Sequence, residues 1–325
     1  MLVGPSVWTS GRSVRAMVDR ARGSKRAKPA LERGRCLASV SAAAEVGCTA
    51  SEGRAVMELW LAALIIVGAA VLSAAGMLIV RRRAPAGTFF HDPIPAGAVY
   101  TVVGTAYMVI VAFVFFIAFE SYGGAKADAE KEATATLAMF HADVPFGPAA
   151  RAELQGQMIC YAREVISDEW PAMREGGASS VVDASVSAME ESAEQIPVTD
   201  AKQATAFEHW FTLNEERRQG RQGRIGKAEG LVPPVIWLIL IIGAVVVIAS
   251  VALFADREET AVTQAAMVAA VAIIVVSGLV LVRFLDRPYE GKSGSIKSTA
   301  MERTLAQMER EHRGQAVIRC ADLAG

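Results

Sequence analysis

The histidines and glycines of this sequence do not form the patterns on which enzymes rely. The chain contains four histidines, His91, His141, His209 and His312, each isolated from the others. The sequence shows neither a glycine-rich loop that could cradle a phosphate nor a nucleophile elbow that could expose a reactive serine. We therefore expect no catalytic residue, no enzymatic activity and no bound cofactor.

Two sets of side chains contain residue types that bind metal ions, but neither has the spacing of a metal site. One consists of four widely separated cysteines, Cys36, Cys48, Cys160 and Cys320. They lack the CxxC or Cys/His spacing of a zinc site, so we interpret them as free thiols. The other set is the acidic cluster Asp128, Glu130 and Glu132, which lacks the loop glycine and alternating oxygen ligands of an EF-hand. We expect a solvated helix face there, and no metal site.

One aromatic stripe has the spacing that suits ion passage. Val111, Phe115 and Phe119 recur four residues apart, which places them on one face of a helix. A ring of such side chains makes a hydrophobic constriction that gates by dewetting, so these three are our pore-lining candidates. A competing stripe consists of Phe113, Phe116 and Glu120. Packing or lipid contact is the simpler interpretation of any single aromatic residue here.

A basic triplet, Arg81, Arg82 and Arg83, follows directly after an apolar run. Guanidinium groups at a membrane surface bind lipid phosphates, and they also raise the local concentration of anions. Two interpretations therefore stay open for the triplet, a lipid anchor or the outer mouth of an anion pathway.

The elements that must position these residues are four apolar runs, set as two pairs. They are Leu59–Val80, Ala98–Phe119, Val235–Phe254 and Ala265–Val282. At about 1.5 Å rise per residue, each run of roughly 20 residues matches the ~30 Å hydrocarbon core of a bilayer. None contains a charged residue, which disfavours a proton relay or an ion-coupled transporter. The sequence predicts a multi-pass membrane protein.

The polar segment between the two pairs is predicted to be a helical domain. Proline and glycine divide it into helices, and Leu154, Met158, Tyr161 and Val165 form the apolar stripe of one of them. No breaker separates the second span from this segment, so we expect one continuous helix. We interpret Trp170-Pro171 as a helix end, because proline lacks the N–H that a helix interior needs.

The predicted organisation is an all-α protein with four transmembrane helices, arranged two plus two, and an acidic helical domain between spans 2 and 3. The predicted parts are residues 1–56 (a basic extension), 57–119 (spans 1 and 2), 120–233 (the domain), 234–283 (spans 3 and 4) and 284–325 (the C-terminal tail). Two interpretations stay open for residues 1–56, namely a disordered extension or a chain that begins at Met57. The excess of Lys and Arg on the domain side favours cytoplasmic termini and a cytoplasmic domain.

Two stretches carry a resemblance to a known family. One runs from Phe113 through Glu120 to Tyr161-Ala162-Arg163-Glu164 and Asp168-Glu169-Trp170-Pro171, and the other is Phe284-Leu285-Asp286-Arg287-Pro288-Tyr289-Glu290-Gly291. With the paired spans, residues 57–300 resemble the bacterial DUF4239 family, also called bestrophin-like. The residues that match the family pattern are Glu120, Trp170, Pro171, Asp286, Pro288 and Tyr289.

The resemblance implies a fold and a function. Bestrophins are pentameric anion channels with four membrane helices per subunit and a helical cytoplasmic domain, so it implies a homo-oligomer in the bacterial inner membrane that passes inorganic anions. Bestrophins also carry an acidic calcium clasp after the last span, but Gly291-Lys292-Ser293-Gly294 stands here instead, so calcium gating is not expected. The rival hypothesis is a non-conducting scaffold or sensor that binds a cytoplasmic protein. No nucleic-acid partner is expected.

Overall fold

The computed structural model describes residues 42–83, 93–254, 260–312 and 320, and every regular element in these ranges is helical. The elements are α1 (Ala42–Arg83), α2 (Pro93–Ala142), α3 (Pro148–Glu164), a π-helical segment (Val165–Glu169), α4 (Trp170–Arg174), α5 (Ser180–Glu194), α6 (Ala201–Gly226), α7 (Pro234–Ala252), α8 (Ala261–Asp286) and α9 (Thr299–Glu311). The predicted all-α fold is confirmed. Of the predicted N-terminal extension, residues 1–41 lie outside the described residues.

Four helices are long and apolar enough to cross a membrane. The candidate spans are Leu59–Arg83, Pro95–Ala142, Pro234–Ala252 and Ala261–Asp286. In the most apolar window of each span, only 11% of residues in the first two and 22% in the last two are buried within the chain. The remaining apolar surface must meet lipid or another protein surface, because water would penalise it. The prediction of four membrane helices is thereby confirmed.

The second span continues into the soluble part of the chain without interruption. At about 1.5 Å rise per residue, the 50 residues of α2 extend over roughly 75 Å, more than twice the thickness of the hydrocarbon core. The pair Gly123-Gly124 does not end the helix. This confirms the expected continuous helix, which links the membrane mechanically to the helical domain.

The second half of α2 packs with α3, α5, α6 and α9 around the main hydrophobic core. Its largest apolar members include Met139, Phe140, Met158, Met189, Trp210 and Met308. The predicted stripe of α3 faces this core, since Leu154, Met158, Tyr161 and Val165 are all buried. The predicted burial of the stripe is correct, but every residue from Leu154 to Ala162 is buried, so the middle of this helix is enclosed on all sides and is not amphipathic.

The expectation that Pro171 ends a helix is wrong. The chain stays helical to Arg174, because the preceding turn widens into the π-helical segment, where the Trp170 N–H donates to the Val165 carbonyl. Pro171 then falls in the first turn of α4, where the missing N–H costs little. The reversal comes later, at Gly176, whose φ of +84° is readily adopted only by glycine.

Within the membrane, α2 and α7 approach each other at a glycine. A Cβ atom added to Gly243 would lie 2.5 Å from the ring of Tyr107, and the Tyr107 hydroxyl donates to the Leu240 carbonyl over 3.1 Å. Near the membrane surface that is farther from the helical domain, Met77 of α1 packs against Val268 of α8. These contacts link α2 to α7 and α1 to α8 within the set of spans.

Candidate functional site

The stripe of pore-lining candidates lies where α2 approaches the helical domain. Phe115 and Phe119 stack on each other, with ring centroids 6.3 Å apart and an angle of 22° between the rings. Phe119 is 57% exposed and Phe115 is partly buried, whereas Val111 packs against the cluster around Tyr107. The Phe119 end of the stripe is thus available to a pore or a neighbouring subunit. The Val111 end contacts α8, where an added Cβ on Gly278 would meet Val111.

The competing stripe is the more exposed one. Phe113 is 66% exposed, Phe116 is 59% exposed, and Glu120 is also exposed. In an isolated chain, exposure marks every surface that lipid, a pore or another subunit could cover. The exposed fraction alone therefore does not choose between the two stripes.

The basic triplet lies in the last turn of α1, where positive charge complements the C-terminal end of the helix dipole. The Arg81 guanidinium donates to Gln264 Oε1 over 2.9 Å, and Gln264 is buried. Arg81 therefore links the first span to the fourth, while Arg82 and Arg83 are exposed at the helix end. The triplet and the Phe115–Phe119 pair lie toward opposite ends of the spans.

Beyond the membrane, a buried ion-pair network joins α2 to α6. Arg224 is fully buried and donates to Glu132 (Nε–Oε2, 2.6 Å) and to Glu169 (Nη2–Oε2, 2.5 Å). Burial by itself lowers the pKa of Arg224, but the two carboxylates outweigh it and raise the pKa above its ordinary value. The expectation that Glu132 belongs to a solvated helix face is therefore wrong, although Glu130, in the same cluster, is exposed.

Two aromatic rings complete the network. Tyr161 donates to Glu132 Oε1 over 2.5 Å, because burial and the adjacent carboxylate raise the pKa of Tyr161 and keep its hydroxyl protonated. Arg217 lies over the Tyr161 ring and Arg224 over the Trp170 ring, each 4.8 Å from the ring centroid. The part of α2 around Glu132, which lies in the helical domain and is called the base of α2 below, is thereby held by charge, hydrogen bonds and ring contacts together.

The sequence carried a signal for this network that composition alone does not show. Arg217, Arg221 and Arg224 follow one another at helical spacing, and Gly220 and Gly223 lie between them. A Cβ on Gly220 would lie 2.7 Å from the Glu132 backbone nitrogen, so α6 approaches α2 where only glycine fits. A row of arginines interleaved with glycines therefore marks a close helix contact rather than a solvated face.

The family-motif residues fall into two groups in the structure. Trp170, Pro288 and Tyr289 are buried, and the rings of Trp170 and Tyr289 meet edge to face with centroids 5.8 Å apart. Glu120 and Pro171 are exposed. The two stretches that carried the resemblance therefore converge at the base of α2, because the Tyr289 hydroxyl donates to the carbonyl of Ala125 in α2 (2.7 Å).

Asp286, the remaining motif residue, fixes the entry to the third span. Its Oδ1 accepts the backbone N–H groups of Leu231 and Val232, each over 2.8 Å. This loop turns at Gly230, where φ is +93°, and continues into Pro233 and Pro234 at the start of α7. Asp286 thus joins the end of the fourth span to the start of the third.

A second buried polar cluster lies at the far end of the domain, where α2, α3 and α9 meet. The Gln155 amide donates to Asp143 (3.1 Å), and its oxygen lies 3.4 Å from His312 Nδ1. Burial raises the pKa of Asp143 to about 7, although the Gln155 hydrogen bond and the nearby Arg151 and His141 oppose the rise. Burial and the charge of Arg151 also lower the pKa of His312. This junction therefore contains a carboxyl group that titrates near neutral pH.

The interpretation of all four cysteines as free thiols is wrong for two of them. Cys160 in α3 and Cys320 form a disulfide, with their Cα atoms 5.4 Å apart. Because 160 positions separate the two residues, no local spacing could indicate the bond. Within the described ranges, no three His, Cys, Asp or Glu residues come together as a metal-binding group.

Four apolar helices, a span that extends into a helical domain and the buried junction at its base define an integral membrane protein of the bestrophin fold. The bestrophin-like domain matches residues 67–300, so the chain belongs to the bestrophin-like domain family. No curated protein matches the chain.

Solved structures share this architecture. A bacterial bestrophin homolog from Klebsiella pneumoniae superposes with a TM-score of 0.59 at 13% identity, covering 77% of this chain and 99% of the homolog. A second structure of the homolog from the same organism gives 0.58 at 12% identity, covering 80% and 100%. A crystal structure described as a membrane protein gives 0.60 at 13% identity, covering 77% and 99%. At this level of identity the likeness establishes the fold.

Proposed function

We propose that the protein is a passive anion channel built from a closed ring of identical subunits, with Val111, Phe115 and Phe119 along its pore. The observation that carries this proposal is the geometry of α2. One unbroken helix holds the stacked Phe115–Phe119 pair near the membrane boundary and is anchored beyond it by Glu132. Membership of the bestrophin-like family supports a channel.

Two physical arguments support passive conduction through an oligomer. The apolar runs contain no charged side chain that could bind a coupled ion or relay a proton, so an ion would move down its gradient. A pore on a symmetry axis requires a closed ring of subunits, and the exposed apolar faces of the spans offer surface for lipid and for neighbouring subunits.

A hydrophobic ring of Phe115 and Phe119 would set the conductance. Such a ring excludes water when narrow and conducts when wider or more polar. At the other end of the membrane, Arg81, Arg82 and Arg83 would raise the local anion concentration at an entrance. Together these features favour small inorganic anions.

We further propose that the helical domain and both termini face the cytoplasm, in a multi-pass protein of a bacterial inner membrane. The excess of Lys and Arg on the domain side supports this orientation. Because the cytoplasm is reducing, the bond between Cys160 and Cys320 should then be open in growing cells and should form after lysis in air. Rapid thiol alkylation in intact cells tests this, since a bond that is fully formed before lysis would place the domain on the oxidising side.

Flux through purified protein in liposomes tests conduction and the choice of stripe. We expect chloride efflux from loaded vesicles, an increase in flux with Phe115→Ala, and a loss of anion preference with Phe115→Asp. The matched control is Phe113→Ala on the competing stripe, which should leave flux unchanged. A flux increase with Phe113→Ala but not with Phe115→Ala would assign the pore to the competing stripe.

Two other results would refute the channel. Vesicles that stay tight to chloride, although they contain a well-folded oligomer, would contradict conduction. A monomer in detergent with one stable protein partner would favour the scaffold or sensor instead. A reversal potential that follows the cation gradient would keep the channel and refute its anion preference.

A further inference from the structure

A groove opens between the start of α7 and the end of α8, where the third and fourth spans meet the helical domain. It encloses about 620 Å³. Its apolar lining comes from Pro233, Pro234, Trp237 and Ile241, and its basic lining from Arg283 and Arg287. The groove therefore has an apolar wall and a basic wall, and it lies at one boundary of the membrane.

The basic wall is incompletely neutralised. Arg283 donates through Nη2 to Glu290 over 2.5 Å, but its Nη1 is buried and has no hydrogen-bond partner in the part of the chain that the structure describes. Arg287 lies 3.9 Å from the same carboxylate, and Lys292 also pairs with it. Three cations thus share one carboxylate, and the side chains of Arg283 (40% exposed) and Arg287 (42% exposed) keep N–H groups that this carboxylate does not take up.

Two acidic residues, Asp286 and Glu229, also line the groove. Asp286 already accepts the N–H groups of Leu231 and Val232. Glu229 lies beside the turn at Gly176, where an added Cβ would meet its Cγ at 3.4 Å, so it belongs to the edge that faces the helical domain. Neither carboxylate is paired with Arg283 or Arg287 within the described ranges.

The apolar wall points along the membrane. Trp237 and Ile241 lie one helical turn apart near the start of α7, and Ile241 is 51% exposed. Tryptophan is enriched at the membrane–water interface, because its ring is apolar and its N–H is polar. A ligand with a negatively charged head and a hydrocarbon tail would satisfy both walls at once.

We propose that this groove binds an anionic phospholipid, with its phosphate on Arg283 and Arg287 and an acyl chain along Trp237 and Ile241. Basic pockets between membrane helices are a physical signature of phospholipid headgroup binding. The proposal requires that the spans lie in a bilayer and does not depend on conduction. The lipid would join the third and fourth spans at the junction that Asp286, in the lining of the same groove, also holds.

Binding of phosphatidylglycerol to delipidated, detergent-purified protein tests the site, with native mass spectrometry as the readout. Phosphatidylglycerol should bind more tightly than phosphatidylcholine. Each arginine removed should weaken binding about fivefold, since one basic side chain near a membrane surface contributes about that factor. We therefore expect a fivefold loss for Arg287→Gln and a roughly 25-fold loss for Arg283→Gln combined with Arg287→Gln.

The matched control is Arg218→Gln, which removes an exposed arginine on α6 and should leave lipid affinity unchanged. Because Arg283 also pairs with Glu290, the single Arg287→Gln variant keeps the test valid if the double variant misfolds. Equal affinity for the two lipids, an unchanged affinity in folded Arg287→Gln, or displacement of the lipid by millimolar inorganic phosphate would overturn the proposal. A photo-crosslinker at Ile241 should label lipid, and labelling of a second copy of the chain instead would also overturn it.

Discussion

Replacing Asp143 by asparagine should change how the stability of the helical domain depends on pH. Asp143 is fully buried, and its Oδ2 has no hydrogen-bond partner within the described residues. Burial raises its pKa from an ordinary value of 3.8 to about 7. The folded protein therefore favours the protonated carboxyl, so stability is greatest at acid pH and falls as the pH rises from about 4 to about 7.

The size of the effect follows from the shift. Each pKa unit corresponds to about 1.4 kcal/mol, so the buried charge costs roughly 4 kcal/mol in total, and about 2.5 kcal/mol of this develops between pH 5 and pH 8. Asparagine stays neutral and can still accept the Gln155 hydrogen bond through Oδ1. The ion pair to Arg151 that it loses is long, at 3.6 Å, and its arginine is 39% exposed, so the pair contributes less than about 1 kcal/mol.

Thermal unfolding of the detergent-purified protein, followed by intrinsic tryptophan fluorescence, to which the buried Trp170 and Trp210 contribute, measures this difference. The melting temperature of Asp143→Asn should exceed that of the wild type, and the advantage should grow by roughly 5–10 °C between pH 5 and pH 8. Glu153→Gln, which removes an exposed carboxylate from α3, is the control and should show no such growth. An advantage that is equal at both pH values, or a less stable variant at pH 8, would refute the assignment of a buried charge.

The remaining predictions concern helix contacts. Arg224→Met should destabilise the domain by about 3–5 kcal/mol, because it leaves the buried Glu132 without a counter-charge, whereas Glu169 keeps Arg221; thermal unfolding measures the loss. Gly220→Ala should force α2 and α6 apart and lower the melting temperature strongly, whereas Gly226→Ala, whose added Cβ meets no atom within 4 Å, should not; equal effects would contradict the close contact. Cys160→Ser should lower the melting temperature only in the absence of reductant, and a loss that persists with reductant would show that the bond to Cys320 is not its cause.

Much of the fold could be predicted because its signals are local. The length of an apolar run sets whether it spans a bilayer, and the absence of a breaker after Phe119 predicted the continuous helix α2. The stripe from Leu154 to Val165 predicted buried positions for the same reason, although the middle of α3 is buried on all sides. Pro171 was misinterpreted because a π-helical turn, which no local pattern announced, let the helix pass through it.

The candidate site could be predicted only in part. The spacing of Phe115 and Phe119 indicated one helix face, and the structure stacks the two rings, but residue spacing carries no information on which surface that face meets. Trp170 and Tyr289 were singled out by resemblance, without any sign that their rings touch. Glu132 was predicted to face solvent because it shares an acidic cluster with Asp128 and Glu130.

The sequence by itself determined which segments lie in lipid and which lie in water. The length of an apolar run, helical periodicity and helix breakers are all signals that act over a few turns of one chain. Only the tertiary structure decided which charges are buried. Glu132 meets Arg224 across 92 positions, and Asp286 meets Leu231 across 55, because helix packing closes these distances. Burial then makes one carboxylate an ion-pair partner that holds two helices together and raises the pKa of another. Helix packing also places Arg283 and Arg287 side by side in the lining of one groove.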